Sequence, residues 1–182
     1  MLTFLASGCL VAAVVYCRQR KPRLKLDVTG SLESYPELVI RELWCSDVDR
    51  GFLDLLSQLT KVGDVSRQRF CRRCRELKSN GQTIVAVVHD TAKDRILAAG
   101  TLLIESKFIH DCSAVGHVED VVVDSHCRGK KVGTAMVEAL IRTAEASGCY
   151  KVILDCDEKN VSFYHKCSMQ IKGVQMAQYF DA

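Results

Sequence analysis

The clearest pattern in the chain is an apolar repeat at three- and four-residue spacing over 132–146, which predicts an amphipathic helix. A first helix is predicted where Ser46 or Asp47 caps an apolar stripe that ends before Gly63. A second begins at Ser66 and ends at Asn80-Gly81. Short apolar runs between turn residues predict the strands 37–43, 83–89, 96–105, 118–123, 150–155 and 173–180, and a short helix is predicted at 160–167.

This order of elements predicts the fold class. The predicted order is one strand, two helices, three strands, a helix, a strand, a helix and a final strand. It favours an α/β (α+β) mixed sheet with helices on both faces. The strands 83–89 and 96–105 are joined by a polar turn and form a hairpin. With 182 residues, of which 48% are apolar and 26% charged, the chain suits one folded domain, placed at 37–182 after a basic and polar linker at 18–36.

The N-terminal segment 1–17 contains no charged residue and is followed by five cationic residues between Arg18 and Lys25. As a helix it is about 25 Å long, slightly short for a membrane core of about 30 Å. Because the positive charge follows the apolar run, we predict an N-terminal membrane anchor that leaves the remaining chain in the cytosol. The alternatives are a targeting presequence or a loosely ordered tail on a soluble cytoplasmic protein.

Charge and cysteine content argue against a nucleic-acid-binding protein and against a structural metal site. The net charge is only +3 and much of the excess lies between Arg18 and Lys25, which argues against a nucleic-acid-binding surface. Among the ten cysteines, only Cys71 and Cys74 form a close pair, and they fall on one face of the second predicted helix. We therefore expect reduced, partly buried thiols and no metal site.

A strand, a turn rich in glycine and cations, and the start of the long helix follow one another between 121 and 134. The first N–H groups of a helix are unpaired and favour anions, so the turn suits a pyrophosphate. The glycine-lysine-serine ending of a phosphate-binding loop and two of the three dinucleotide-fingerprint glycines are absent. An ordinary strand-to-helix turn is the alternative. The candidate residues are Val121, Val122, Val123, Arg128, Gly129, Lys130, Lys131, Val132, Gly133 and Thr134.

This turn resembles that of the GCN5-related N-acetyltransferase (GNAT) superfamily, with Lys131 in place of the first glycine. The segments 107–110, 118–123, 149–156 and 160–164 are similar to the glucosamine 6-phosphate N-acetyltransferase family. The resemblance covers about 37–180. It implies a GNAT fold with a mostly antiparallel central sheet, acetyl-CoA as co-substrate and no metal.

The resemblance also implies roles for individual residues. Tyr164 stabilises the coenzyme A thiolate or acts as its general acid, and Asp155 orients the substrate amine and accepts its proton. Asn160 joins the cofactor set, while the backbone of 121–123 holds the pantetheine arm. The implied substrate-binding residues are Thr60, Lys107, Phe108, Ile109, His110, Glu119, Asp120, Tyr150, Lys151 and Asp155, some of them contributed across a homodimer.

The expected reaction is acetylation of D-glucosamine 6-phosphate by acetyl-CoA, giving N-acetyl-D-glucosamine 6-phosphate for UDP-N-acetylglucosamine synthesis. The family typically has an arginine before its C-terminal aromatic residue, whereas 175–180 contains none. Acetylation of another amino sugar or amine is therefore one alternative. A non-catalytic acyl-CoA-binding module is the other, against which Asp155, Asn160 and Tyr164 argue.

Overall fold

The computed structural model describes residues 24–30 and 32–180. Within them, five strands form one sheet in the order β1-β2-β3-β4-β5. Neighbouring strands are antiparallel except for β4 and β5, which are parallel. The strands are β1 (Leu38–Glu42), β2 (Thr83–Asp90), β3 (Arg95–Ser106), β4 (Ala114–Val123) and β5 (Cys149–Ile153), and the helices are α1 (Phe52–Ser57), α2 (Arg67–Ser79), the single turn α3 (Ile109–Cys112), α4 (Val132–Ala146) and α5 (Val161–Lys166).

Helices cover the two faces of the sheet, as the sequence predicts. The helix α4 packs on one face, where Met136, Ala139 and Leu140 are fully buried. The helices α1 and α2 pack on the other, where Phe52 and Phe70 meet edge to face with ring centroids 5.6 Å apart. The mixed, mostly antiparallel sheet is confirmed.

The first predicted helix is interrupted. A 3₁₀ segment, Cys45–Arg50, precedes α1, and the chain turns at Gly51, whose φ is 79°. Asp47, expected as an alternative helix cap, is instead fully buried, and its carboxylate accepts hydrogen bonds of 2.7 and 2.8 Å from the guanidinium of Arg41. This ion pair joins β1 to the 3₁₀ segment.

The strand predicted at 173–180 is wrong for the single chain. Residues 170–180 have no regular secondary structure and are exposed along their whole length. Their apolar side chains alternate with polar ones, but no strand among residues 24–30 and 32–180 pairs with them. The exposed apolar residues are Ile171, Val174, Met176, Tyr179 and Phe180.

The described part of the predicted linker packs against the domain. The main-chain N–H of Asp27 donates a 2.9 Å hydrogen bond to Oγ1 of Thr143 in α4, and Leu24, Leu26 and Leu32 contact the core. The predicted anchor at 1–17 lies outside the described residues. In the part that the structure describes, no helix has the length and apolar character needed to cross a membrane.

Candidate active site

The parallel strands β4 and β5 pair from Ala114 and Cys149 to His117 and Ile153, and the cleft begins beyond this point. It has a volume of about 1180 Å³ and lies between the end of β4, the N-terminus of α4 and α5. A volume of this size suits an extended ligand larger than a simple metabolite. The cleft-lining members of the predicted cofactor set are Val121, Val122, Val123, Arg128, Gly129, Lys131, Val132, Gly133, Thr134, Asn160 and Tyr164.

The turn between β4 and α4 is held by the carboxylate of Asp124, which is 3% exposed. Arg95 donates a 2.9 Å hydrogen bond to its Oδ2, and the main-chain N–H of His126 donates one of 2.9 Å to its Oδ1. The side chain of Gln58, just after α1, accepts a 3.0 Å hydrogen bond from the N–H of Ser125. The turn is therefore fixed before any ligand enters.

Backbone conformation in the turn explains why the related motif favours glycine. Lys131 immediately precedes α4 in the left-handed conformation, with φ 60° and ψ 4°, and Gly129 has φ 81°. A residue with a Cβ adopts this conformation only at an energetic cost. Lys131 thus keeps the backbone path of the motif and adds a positive charge beside the cleft.

Gly133 permits close packing at the start of α4. A Cβ at this position would lie 3.1 Å from Cγ2 of Val123 and 3.2 Å from Cζ of Phe163. The glycine therefore brings α4 against both β4 and α5. The unpaired N–H groups of α4, together with Arg128 and Lys131, give this end of the cleft the donors and positive charge that a pyrophosphate requires.

Tyr164 is half-buried at the other end of the cleft and packs edge to face on Phe163, with ring centroids 4.9 Å apart. Desolvation raises the pKa of Tyr164 to about 12, with smaller contributions from Cys156, Cys167 and Glu119. The phenol is consequently protonated at neutral pH. It is able to donate a hydrogen bond or a proton to an anion that develops in the cleft.

Carboxylates gather where β4 and β5 separate. Partial desolvation raises the pKa of Glu119, and the charges of Asp120 and Asp155 raise it further, although much of the Glu119 residue is exposed. Because these charges act on Glu119 and Glu119 acts on Tyr164, the groups lie within electrostatic range of one another. A carboxylate with a raised pKa is a suitable proton acceptor for an amine.

Asp120 lies in a bulge of β4, with φ 52°, and faces a second cavity. This cavity, of about 1040 Å³, lies between the helices α1 and α2 and the sheet, and Thr101 contributes to its floor. The predicted substrate residue Thr60 is exposed just beyond α1, where its N–H donates a 3.2 Å hydrogen bond to the carbonyl of Leu56. It lines neither the cleft nor this cavity.

The predicted phosphate-binding residues form a separate group. The rings of His110 and Tyr150 lie 4.1 Å apart, and Nζ of Lys151 lies 5.5 Å from the Tyr150 ring centroid. Lys107 is held by Glu105, with 2.5 Å between Nζ and Oε1. Nearby, Phe108 and Ile109 are 95% and 60% exposed.

Residues 110–112 all have positive φ values of 52° to 57°, so the turn α3 is left-handed over these residues. Among the predicted cofactor residues, Lys130 is exposed and lies outside the cleft lining.

Several cleft residues were not predicted. The segment 32–35, treated as linker, lines one wall with Gln58 and Leu59, while Phe163 and Lys159 line the opposite side. The polar residues 32–35 carry no local sequence signal that they contact the turn between β4 and α4, which lies about 90 residues further along the chain. Phe163 could have been predicted from the sequence, because it lies next to Tyr164 in the segment 160–164 that carries the family resemblance.

The mixed sheet and the cleft between β4, α4 and α5 agree with the fold that the sequence predicts for an acetyltransferase. Residues 50–169 match the model of the acetyltransferase (GNAT) family, and the chain belongs to this family.

Proteins named as glucosamine 6-phosphate N-acetyltransferases are among its relatives. The Arabidopsis thaliana enzyme is 46% identical over 143 residues, which cover 78% of this chain and 96% of that protein. Its crystal structure matches with a TM-score of 0.77, covering 79% of this chain and 99% of that one. A Trypanosoma brucei acetyltransferase structure is 34% identical with a TM-score of 0.73, again covering 79% and 99%.

Proposed function

We propose that this protein transfers the acetyl group of acetyl-CoA to the 2-amino group of D-glucosamine 6-phosphate. The observation that carries the proposal is the position of Tyr164 in the cleft that contains the start of α4. Tyr164 lies within electrostatic range of Glu119, which in turn lies within range of Asp155. The names of relatives at 34–46% identity support the same substrate. The product would be N-acetyl-D-glucosamine 6-phosphate, a precursor of UDP-N-acetylglucosamine.

The donor would lie along the cleft between α4 and β4. Its pyrophosphate would accept hydrogen bonds from the first N–H groups of α4, with Arg128 and Lys131 nearby. Its pantetheine arm would follow the end of β4 at 121–123, where the strand has lost its β5 partner and its main-chain groups are available for pairing. The thioester then lies near Tyr164.

The reaction is a direct transfer in a ternary complex. The neutral amine attacks the thioester carbonyl, forming the C–N bond, and the C–S bond breaks. The amine proton passes to a carboxylate, for which Glu119 is suited by its raised pKa, while Asp155 orients the amine. Tyr164 donates to the leaving thiolate, for which a protonated phenol is required.

A covalent route through cysteine is disfavoured. Burial raises the pKa of Cys156, and the charges of Asp157 and Asp155 raise it further. The thiol is thus predominantly protonated at neutral pH, and only the thiolate is an effective nucleophile.

We propose that a second subunit completes the phosphate site. The rings of His110 and Tyr150 and the ammonium group of Lys151 lie together at the start of β5. The family resemblance implies a homodimer, in which this group, together with Lys107, would serve the carboxylates of the partner subunit.

Exposed apolar surface supports this assembly. The sheet face opposite α4 is uncovered near β5, where Leu103 and Ile153 are 40% and 38% exposed. The segment 170–180 carries five large exposed apolar side chains and has no partner strand among the described residues. A second copy would cover both surfaces.

Mass spectrometry of the reaction products tests the proposed function. The full chain, acetyl-CoA and a panel of amines would be incubated, with glucosamine 6-phosphate, glucosamine and a peptide N-terminus as acceptors. Acetylated glucosamine 6-phosphate is the expected main product. Acetylation of another amine instead, or acetyl-CoA binding without any product, would overturn the assignment.

A further inference from the structure

One wall of the proposed donor cleft comes from outside the region that matches the family. Residues 32–35 precede the matched residues 50–169 and line the cleft on the side of Gln58. Leu32 and Tyr35 are both partly buried there. The N-terminal part of the chain thus contributes a wall to the cleft between β4, α4 and α5.

The residues before this wall pack along α4. The main-chain N–H of Asp27 donates a 2.9 Å hydrogen bond to Oγ1 of Thr143, and Oδ1 of Asp27 lies 3.9 Å from Nε of Arg142. Thr143 and Val132 are about 16 Å apart along the helix axis, and the five residues from Asp27 to Leu32 span about 17 Å when extended. The segment therefore runs antiparallel to α4, from near the C-terminal end of the helix to its start at the cleft.

Two consecutive turns hold the wall in place. The N–H of Tyr35 donates a 2.9 Å hydrogen bond to the carbonyl of Leu32, and the N–H of Leu38 donates one of 2.9 Å to the carbonyl of Tyr35. Pro36 restricts φ in the second turn, and Leu38 begins β1. Leu32 also packs against the core cluster that includes Val132. Because the wall is fixed in this way, a ligand that contacts it incurs little cost for ordering the chain.

We propose that the segment 32–35 is part of the donor-binding site and that Leu32 and Tyr35 contact bound coenzyme A. The inference rests on the proposed use of acetyl-CoA as the donor. An extended ligand with an apolar arm and phosphate groups requires both apolar surface and hydrogen-bond donors. The ring of Tyr35 supplies apolar contact area on the cleft wall, and its hydroxyl supplies a donor.

Calorimetry of coenzyme A binding to the full chain tests this wall without an acceptor or a reaction. Tyr35→Ala removes the ring and the hydroxyl and should raise the Kd for coenzyme A about 10-fold. Val28→Ala is the control, because Val28 belongs to the same N-terminal segment, is 42% exposed and does not line the cleft. This control should bind coenzyme A like the unaltered chain. Thermal unfolding of both variants shows that they are folded at the temperature of the titration.

Hydrogen exchange on the unaltered chain is a second measurement that needs no variant. Coenzyme A should slow amide exchange in 32–35 and leave the exposed β2–β3 turn at 91–94 unchanged. Absence of coenzyme A binding to the unaltered chain would overturn the donor assignment and this inference together. Binding that protects 121–134 but not 32–35, with equal Kd values for the unaltered chain and Tyr35→Ala, would overturn this inference alone.

Discussion

The side-chain amide of Gln175 donates a 3.1 Å hydrogen bond to Oδ2 of Asp155. The C-terminal segment thereby reaches the carboxylate proposed to orient the substrate amine, although none of the five described strands pairs with it. An arginine in this region, which the family resemblance leads one to expect, is missing. The contact places a neutral amide beside this carboxylate. In the proposed function, phosphate recognition is assigned to the group around Lys151.

The first prediction concerns Tyr164. Replacing it with phenylalanine removes the hydroxyl that donates to the thiolate while keeping the ring on Phe163. We expect kcat to fall about 100-fold or more, with little change in the affinity for acetyl-CoA. Steady-state kinetics with product quantified by mass spectrometry, together with calorimetry of acetyl-CoA binding, measures both.

The pH dependence gives a second readout of the same residue. Because the pKa of Tyr164 is about 12, the phenol of the free enzyme remains protonated through the neutral and moderately alkaline range. The unaltered enzyme should therefore keep its activity up to moderately alkaline pH. If its activity instead fell near pH 8, and this fall were absent in Tyr164→Phe, the result would contradict the assignment.

The second prediction tests the shared site. Tyr164→Phe and Lys151→Ala would each be inactive alone, but a heterodimer of the two has one site with Tyr164 from one subunit and Lys151 from the other. Co-expression should restore about one quarter of the activity, since half of a random mixture is heterodimeric and each heterodimer has one intact site.

The control pairs Tyr164→Phe with a chain that carries both substitutions, and this pair should remain inactive. If the first combination also stays inactive although heterodimers are isolated, each site is built from a single chain.

The third prediction concerns the left-handed residue before α4. Lys131→Gly relieves the conformational cost at φ 60° and should raise the free energy of unfolding by about 1 kcal/mol. Lys130→Gly removes the same charge one residue earlier, where φ is not positive. This variant should lower the free energy of unfolding. Urea unfolding distinguishes the two; equal effects would show that charge rather than conformation matters.

The fourth prediction concerns Asp47. Burial by itself raises the pKa of this carboxyl, but hydrogen bonds from Arg41 and the N–H of Trp44 and the charges of Arg41 and Arg50 outweigh it and lower the pKa. A group whose pKa is lowered on folding stabilises the protein above its ordinary pKa, and this contribution is lost as the pH falls through the folded value.

Asp47→Asn should therefore lower the free energy of unfolding by about 3 kcal/mol at neutral pH. The difference from the unaltered protein should become progressively smaller in acid. The exposed Asp64→Asn is the control and should change little. Chemical unfolding at several pH values provides the comparison. A cost that does not diminish toward low pH would contradict the proposed role of the ion pair.

Local patterns predict part of this fold well. The helix α4 begins and ends at Val132 and Ala146, as its apolar repeat predicts, because a long helix buries a regular stripe. Ser66 caps α2 as expected and accepts a 3.3 Å hydrogen bond from the N–H of Arg69. These features depend on neighbours three or four residues away.

Features that depend on distant partners were missed. The sequence alone does not reveal that Asp47 meets Arg41 across a turn or that 32–35 covers the cleft. Alternation at 173–180 predicts a strand, yet a strand requires a neighbour to pair with, and the single chain offers none there among the described residues.

The lining of the cleft was predicted more completely than the proposed acceptor site. Most of its predicted residues lie in the continuous segment 121–134, whereas the proposed acceptor residues come from several elements and, as proposed, from two subunits. The assignment of individual site residues stays a prediction until variants are assayed.

The ratio of kcat/KM for glucosamine 6-phosphate to kcat/KM for glucosamine tests the central claim most directly. Two or more charge-assisted hydrogen bonds to the phosphate would each contribute about 1.5–3 kcal/mol, so the ratio should be about 100 or larger. A ratio near one, measured on the full chain, would show that the phosphate is not recognised and that the acceptor is a different amine.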